Sequence, residues 1–184
     1  MKQLGWLVSA VALFAVLLAV QGWPALRDLN TTRESRLIDA PASGASLDGL
    51  QVAVELQIAA IAAQMPERAV VLVRLNMQVT PDARDAWKDC RVSLHNAAGE
   101  VWLPLTSASS DAAIKAIAPD RRNHGLCRLF ARDPQTGTET VRADQLFLLP
   151  SDRLQQDLRL QISGIGTRPR ALSFAVTPTV RQLP

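Results

Sequence analysis

Apolar and polar side chains alternate along much of this chain, and the alternation predicts a protein built of β-strands. In a strand, successive side chains point to opposite faces, so a period of two indicates one face against a core and the other against solvent. The alternation is longest in residues 50–58 and 70–80, which the turn-like residues 65–68 separate. Together they predict a long antiparallel hairpin. Further strands are predicted at residues 90–95, 101–105, 127–131, 140–149, 158–162 and 172–176.

The segments between the predicted strands carry turn residues, with one exception. Residues 96–100 contain Gly99 and predict a hairpin turn, because glycine adopts the left-handed backbone at little cost. The exception is residues 112–118, whose good helix formers follow capping residues and predict one short helix. Seven or eight short strands, one minor helix and closely spaced turns predict an all-β fold, an immunoglobulin-like antiparallel β-sandwich.

An uncharged apolar stretch precedes the predicted sandwich at residues 4–20. As a helix it would be roughly 25 Å long, near the lower limit for crossing a bilayer. Trp6 and Trp23 lie at its ends, where indole rings favour the membrane interface, and Pro24 stops the helix. We therefore predict a single N-terminal transmembrane helix at about residues 4–23, within an anchor of residues 1–24 that contacts the lipid bilayer.

The side of the membrane follows from the charges and from the length of this stretch. Lys2 and the terminal amine favour a cytoplasmic N-terminus, although three arginines beyond the stretch weaken the bias. A cleaved signal peptide is the alternative, but the stretch is long for one and lacks an A-x-A site. Both interpretations predict an extracytoplasmic C-terminal domain, and the uncleaved anchor that we predict keeps this domain at the bacterial inner membrane as a single-pass protein. Residues 25–48 are predicted to be a flexible tether and residues 49–180 the sandwich.

Two segments resemble a known class of domain. The string LHNAAGEVWLP at residues 94–104 forms the first, and DQLFLLP at residues 144–150 with LRLQI at residues 158–162 forms the second. Both are similar to telokin-like, immunoglobulin-like extracytoplasmic domains of bacterial membrane-anchored proteins and lipoproteins. The resemblance implies the sandwich fold and an envelope location, and it assigns no functional residue.

The two cysteines, Cys90 and Cys127, both fall on predicted strands in a compartment that favours oxidation. We predict a disulfide between them, with two buried free thiols as the alternative. A second alternative is a zinc site that adds His95 and His124 to the cysteines. Residues five apart on a strand point to opposite faces, which argues against zinc, and we predict no metal.

Composition narrows the function further. The net charge is only +3, from 20 basic and 17 acidic residues, and aromatic residues make up 4% of the chain. Nucleic-acid binding needs a concentrated basic face, usually with stacking aromatics, so we predict none. No serine lies in a G-x-S-x-G elbow, and no carboxylate pair stands out as a catalytic pair. The sequence therefore predicts a protein that is not an enzyme and uses no cofactor.

The sequence thus favours a non-enzymatic accessory or interaction domain of the bacterial cell envelope, with an envelope or membrane protein as its partner. The alternative is a binding module for a small molecule or glycan. Such a module would use a groove near Trp87 and Trp102, the two tryptophans outside the predicted anchor.

Overall fold

The computed structural model describes residues 11–18, 20, 34, 36–87, 90–105, 108–119 and 139–183. Within these described residues, ten strands form two sheets. In chain order they are β1 (Arg36–Ala40), β2 (Ala45–Leu47), β3 (Leu50–Ala62), β4 (Arg68–Val79), β5 (Arg91–His95), β6 (Val101–Trp102), β7 (Glu139–Pro150), β8 (Leu158–Ser163), β9 (Arg170–Val176) and β10 (Thr179–Leu183). Two α-helices, α1 (Arg84–Trp87) and α2 (Ala108–Ile117), and two 3-10 helices, Pro81–Ala83 and Ser151–Gln155, lie between strands.

The two sheets pack face to face as an all-β sandwich. The first sheet has the order β1-β9-β8-β5-β6, and the second has the order β10-β3-β4-β7, with β2 also paired to β3. Neighbouring strands are antiparallel except for β1 with β9 and β10 with β3, which are parallel. The chain passes from the second sheet to the first after β4 and returns to the second at β7. It crosses to the first sheet again to place β8 beside β5, and it also changes sheets between β1 and β2 and between β9 and β10.

The sandwich extends beyond the predicted boundaries at both ends. Residues 36–40 and 45–47, which we predicted as tether, are strands β1 and β2, and β10 continues past residue 180. These strands are short and show little alternation in sequence. Hydrogen bonds to neighbouring strands order them: β1 pairs with β9, and β2 and β10 pair with β3. The remaining tether residues 25–33 and the predicted strand at residues 127–131 lie outside the described residues.

Hydrogen bonds and ion pairs fasten the chain to the first sheet as soon as it reaches the sandwich. The Ser163 hydroxyl donates to Glu34, and the Arg36 amide donates to the Pro169 carbonyl oxygen at 3.0 Å. Asp39 pairs with Arg159, whose guanidinium also donates to the Ser173 hydroxyl. The domain therefore begins near residue 34 rather than at the predicted residue 49.

The main hydrophobic core lies between the two sheets. Inward-facing side chains of β3, β4 and β7 meet those of β5, β8 and β9. The largest fully buried members are Trp87, Phe147, Phe174, Leu50, Leu75, Met77, Leu94, Leu149 and Leu160. The predicted inward faces of residues 71–79, 158–162 and 172–176 all lie in this core, because their alternation runs unbroken along each strand.

A β-bulge divides β3 into two halves with opposite orientations. Val54 pairs with Leu75 and Leu56 pairs with Arg74, so Glu55 is the extra residue. Leu50, Val52 and Val54 therefore face the main core, whereas Leu56 and Ile58 face the other side of the sheet. We predicted one buried face for all five. The apolar half beyond the bulge is covered by α2, which packs Ile114 and Ile117 there.

Candidate functional site

The two tryptophans predicted to line a groove are both held by the core. Trp87 is 0% exposed, and its indole N–H donates to the Asp48 carbonyl oxygen at 3.2 Å. The 3-10 helix Pro81–Ala83 and α1 direct it inward. Trp102 is half-buried in β6 and packs against the same core. Trp87 therefore cannot contact a ligand at the surface, and the predicted groove loses one of its two walls.

Of the four residues predicted to form the disulfide and the membrane interface, the structure describes only Cys90. Cys90 lies just before β5, packs against the main core and is not a free thiol. Cys127, Trp6 and Trp23 lie outside the described residues, so the pairing and the interface positions stay predictions. Among the described residues, no group of three side chains could hold a metal ion. His95 of the alternative zinc set instead bonds to Ser93.

The surroundings of His95 lower the pKa of its imidazole. Its Nε2 atom lies 2.8 Å from the Ser93 hydroxyl oxygen on the outer face of the first sheet. Burial is the main influence and lowers the pKa of His95 below its ordinary 6.5, and Arg91 lowers the pKa further, whereas Glu34 raises it. The folded protein thus favours the neutral imidazole.

Stability should therefore decrease as the pH falls below 6.5, the ordinary pKa of His95. There the unfolded chain takes up a proton at this residue more readily than the folded chain does, whereas above that pH the contribution is complete. Comparing thermal unfolding midpoints at pH 8.0 and pH 5.5 should show a smaller acid shift for His95→Gln than for the parent chain. An equal shift in both proteins would contradict this assignment.

The outer face of the second sheet is polar on one side of the bulge. Side chains from four strands form a polar platform there, in two cross-strand rows. One row is Ser46, Gln51, Gln78 and Thr140, and the other is Ala53, Asn76 and Arg142. Directly opposed residues in a sheet have Cβ atoms about 4.5–5.5 Å apart, so these amides and hydroxyls form a continuous hydrogen-bonding surface.

The charged groups beside this platform are paired with one another. Glu55, aimed by the bulge, accepts from Asn76 Nδ2 at 2.9 Å and lies 3.2 Å from an Arg142 Nη2 atom. Arg74 and Asp144 form a bidentate pair with N···O distances of 2.7 and 3.1 Å. Their side chains are only 9% and 2% exposed. The platform therefore offers polar groups but little uncompensated charge.

A cavity of about 400 Å³ lies at the end of the platform, where β2 pairs with β3. The segment that leads into β2 forms one wall, and the side chains of the platform form the other. The cavity is lined by Ser43, Gly44, Ala45, Ser46, Gln51, Val52, Ala53, Asn76 and Gln78. None of these residues is charged, so the cavity suits a ligand that binds through hydrogen bonds.

An exposed apolar strip runs along another side of the sandwich. After β6 the chain stays extended through residue 105, and the Leu105 amide donates to the Leu146 carbonyl oxygen of β7 at 2.7 Å. Trp102 and Pro104 are half-buried, whereas Val101, Leu103 and Leu105 point outward and are 51%, 57% and 39% exposed. Leu148 of β7 is also exposed. Beside it lies an apolar groove of about 570 Å³, lined by Glu67, Arg68, Leu148, Leu149, Pro150, Ser151 and Asp152.

Helical residues 11–18 carry a second set of exposed apolar side chains. Val11, Leu13, Phe14, Val16, Leu17 and Leu18 each have more than half of their surface exposed. Among the described residues, no helix is both long and apolar enough to span a bilayer.

Comparison with known proteins supports the fold. No family model matches the chain, and no curated protein matches it. A solved structure of a "putative lipoprotein" from Staphylococcus aureus subsp. aureus NCTC 8325 is similar, with a TM-score of 0.50 and 9% sequence identity. The alignment covers 77% of this chain and 94% of the other. At this identity the likeness concerns the fold alone.

The residues that line the cavity and the residues of the apolar strip were not predicted from the sequence. Gln51 and Gln78 alternate with the apolar residues of their strands, so the pattern places them outward, but the cavity also needs residues 43–46, which lie beside them because β2 pairs with β3. Leu103 and Leu105 belong to the predicted strand at residues 101–105, and we assigned neither of them a functional role. Apolar residues at every second position beyond Trp102 were the available signal, and the structure places them outward.

Proposed function

We propose that this chain is a non-enzymatic interaction domain of the bacterial cell envelope that binds a protein partner along its exposed apolar strip. One observation carries this proposal. Val101, Leu103 and Leu105 occupy the outward positions of an extended segment whose inward positions are already filled. A contiguous apolar patch on a soluble surface is costly and marks interaction sites.

The backbone beside the strip favours an extended segment of the partner. β7 is the last strand of the described second sheet, and the Leu146 carbonyl points away from β4 toward Leu105. Because backbone groups alternate along a strand, those of Leu148 point in the same direction. A partner strand placed there would gain hydrogen bonds from β7 and apolar contacts from Leu148 and Leu103.

We further propose that residues 4–23 anchor the domain in the inner membrane as a single pass and that the sandwich lies outside the cytoplasm. The exposed apolar side chains of residues 11–18 support this, because such a helix is unfavourable in water and favourable in lipid. A disulfide between Cys90 and Cys127 would fit that compartment. We also assign the sandwich to the immunoglobulin-like type, since β3-β4-β7 opposes β9-β8-β5-β6 as in that class.

Site-specific photocrosslinking of the full-length protein in its native membrane tests the proposal. A benzophenone amino acid at Leu103 should capture one envelope protein, identified by mass spectrometry. The same probe at Val180, equally apolar and 51% exposed at the opposite edge of the second sheet, should not capture it. Leu105→Asp should reduce capture from position 103 about tenfold or more, because it places a charge in the contact.

Two results would overturn the assignment of the strip. One is capture of the same protein equally well from positions 103 and 180. The other is capture from position 103 that Leu105→Asp leaves unchanged. Carbonate extraction of the same membranes tests the anchor separately, since an anchored protein stays with the lipid whichever surface binds the partner.

A further inference from the structure

We propose that the 400 Å³ cavity at the end of the polar platform binds an uncharged saccharide. The proposal concerns a different surface from the apolar strip and does not depend on a protein partner. It rests on the chemistry of the cavity lining, on the spacing of its amides and on the shape of its wall.

The lining selects against ions. Its polar groups are the hydroxyls of Ser43 and Ser46 and the amides of Gln51, Asn76 and Gln78. The nearest charges neutralise one another, since Glu55 pairs with Arg142 and Arg74 pairs with Asp144. A charged ligand would lose its hydration without gaining a counter-charge. An uncharged ligand rich in hydroxyls loses less and can form hydrogen bonds to every polar group present.

The spacing of the amides suits neighbouring hydroxyl groups. Gln51 and Gln78 are directly opposed across two strands, and Asn76 lies two residues further along the same face. Each carboxamide offers both donors and an acceptor, so a pair of them can bind two adjacent hydroxyls in either orientation. Sugar hydroxyls both donate and accept, whereas a peptide group presents one donor and one acceptor that point in opposite directions.

The Asn76 carboxamide has an unused acceptor. Its Nδ2 group donates to Glu55, but its Oδ1 atom is buried and has no hydrogen-bond partner among the described residues. A buried acceptor without a donor is costly and is a recognised sign of a missing group. Asn76 lines the cavity, so a small rotation of its carboxamide would bring this acceptor to a ligand hydroxyl, which would supply the donor.

The backbone of the cavity wall is already occupied, which argues against an added peptide strand. β2 takes the edge of β3 at residues 50–52, and the Val54 amide donates to the Ala42 carbonyl oxygen at 2.9 Å. The turn itself is fixed by a hydrogen bond from the Gly44 amide to the Pro41 carbonyl oxygen. A peptide could not pair with this edge, so recognition falls to the side chains.

Gly44 preserves the shape of the wall. Its φ of +133° is a backbone conformation that L side chains rarely adopt, and a Cβ there would lie 3.4 Å from the Val52 carbonyl oxygen. The cavity is therefore formed before any ligand arrives. Preformed sites lose less conformational entropy on binding.

Saturation-transfer NMR on the full-length protein in nanodiscs provides the test. The probes are maltotetraose, cellotetraose and N,N′,N″,N‴-tetraacetylchitotetraose, with tetra-alanine as an uncharged peptide. At least one saccharide should bind, and raising NaCl to 0.5 M should leave its affinity unchanged because no ionic contact is involved. The double variant Gln51→Ala/Gln78→Ala should weaken binding about tenfold, since it removes two hydrogen-bonding groups.

Two matched variants separate the site from general effects on the protein. Gln182→Ala removes an equally exposed glutamine from β10, outside the cavity, and should leave the affinity unchanged. Ala53→Leu fills the cavity and should abolish binding without removing any polar group. Binding of tetra-alanine alone, binding that Gln182→Ala weakens as much as the cavity variants, or no saccharide binding would each overturn the proposal.

Discussion

Asp144→Ala should lower the free energy of unfolding by about 3–5 kcal/mol, because it leaves the Arg74 guanidinium charged and buried without its carboxylate. For a domain of this size the thermal midpoint should fall by roughly 10 °C. Urea unfolding followed by tryptophan fluorescence measures the change, since Trp87 lies in the core. The urea dependence itself should stay constant, because the surface exposed on unfolding is the same.

Two comparisons show whether burial causes this loss. The ion pair between Arg159 and Asp39 is also close, but the Asp39 side chain is 85% exposed. Asp39→Ala should therefore cost no more than about 1 kcal/mol. The double change Arg74→Met/Asp144→Leu should recover most of the stability that Asp144→Ala loses, because it removes both buried charges. A double variant as unstable as Asp144→Ala would mean that packing, and not the loss of the Asp144 carboxylate beside Arg74, determines the loss of stability.

Trp87→Ala should also cost about 3–5 kcal/mol, because it removes the largest side chain of the main core and leaves a cavity. It also removes the donor for the Asp48 carbonyl oxygen. Chemical denaturation measured by circular dichroism avoids dependence on the lost fluorophore. The variant should still bind any ligand or partner that the folded parent binds, since the indole does not reach the surface.

Trp102→Ala is the matched control for this substitution. Trp102 is half-buried and packs at the border of the same core, so we expect it to cost clearly less than Trp87→Ala. If Trp102→Ala were the more destabilising change, the assignment of Trp87 to the centre of the core would be wrong.

The alternation predicted the buried residues best in strands that contact the main core with one face. In β4, β8 and β9 the alternation is regular, and the inward residues are the predicted ones. β3 differs because both of its faces are buried beyond the bulge, one by the main core and one by α2. Ala59 and Ala60 are both buried there, which explains why the alternation is blurred in that region. When both faces of a strand are covered, apolar residues occur on both faces. The sequence pattern then does not show which layer each residue contacts.

The short edge strands and the surface sites were not predicted from the sequence, because both depend on neighbouring parts of the fold. β1, β2 and β10 are ordered by their neighbours, so their own residues carry little of the information. Trp87 follows polar residues such as Asp85 and Arg84, so the sequence pattern does not show that its indole is buried, and the packing of α1 turns it inward. The alternation places the amides of the platform on the polar side of their strands, but it does not show that residues 43–46 border them and complete the cavity.

The bulge at Glu55 means that one continuous strand belongs to two different layers of the protein. Before it, no other described element covers the outer side of the second sheet, and beyond it the helix adds a third layer. Because Val54 and Leu56 already pair with the adjacent residues Leu75 and Arg74, deleting Glu55 would leave a regular strand with Ile58 still facing α2 and Ala59 still facing the main core. Related proteins that keep α2 should therefore tolerate loss of the residue at position 55 more readily than loss of one residue from the paired part of this strand, which would exchange the two faces.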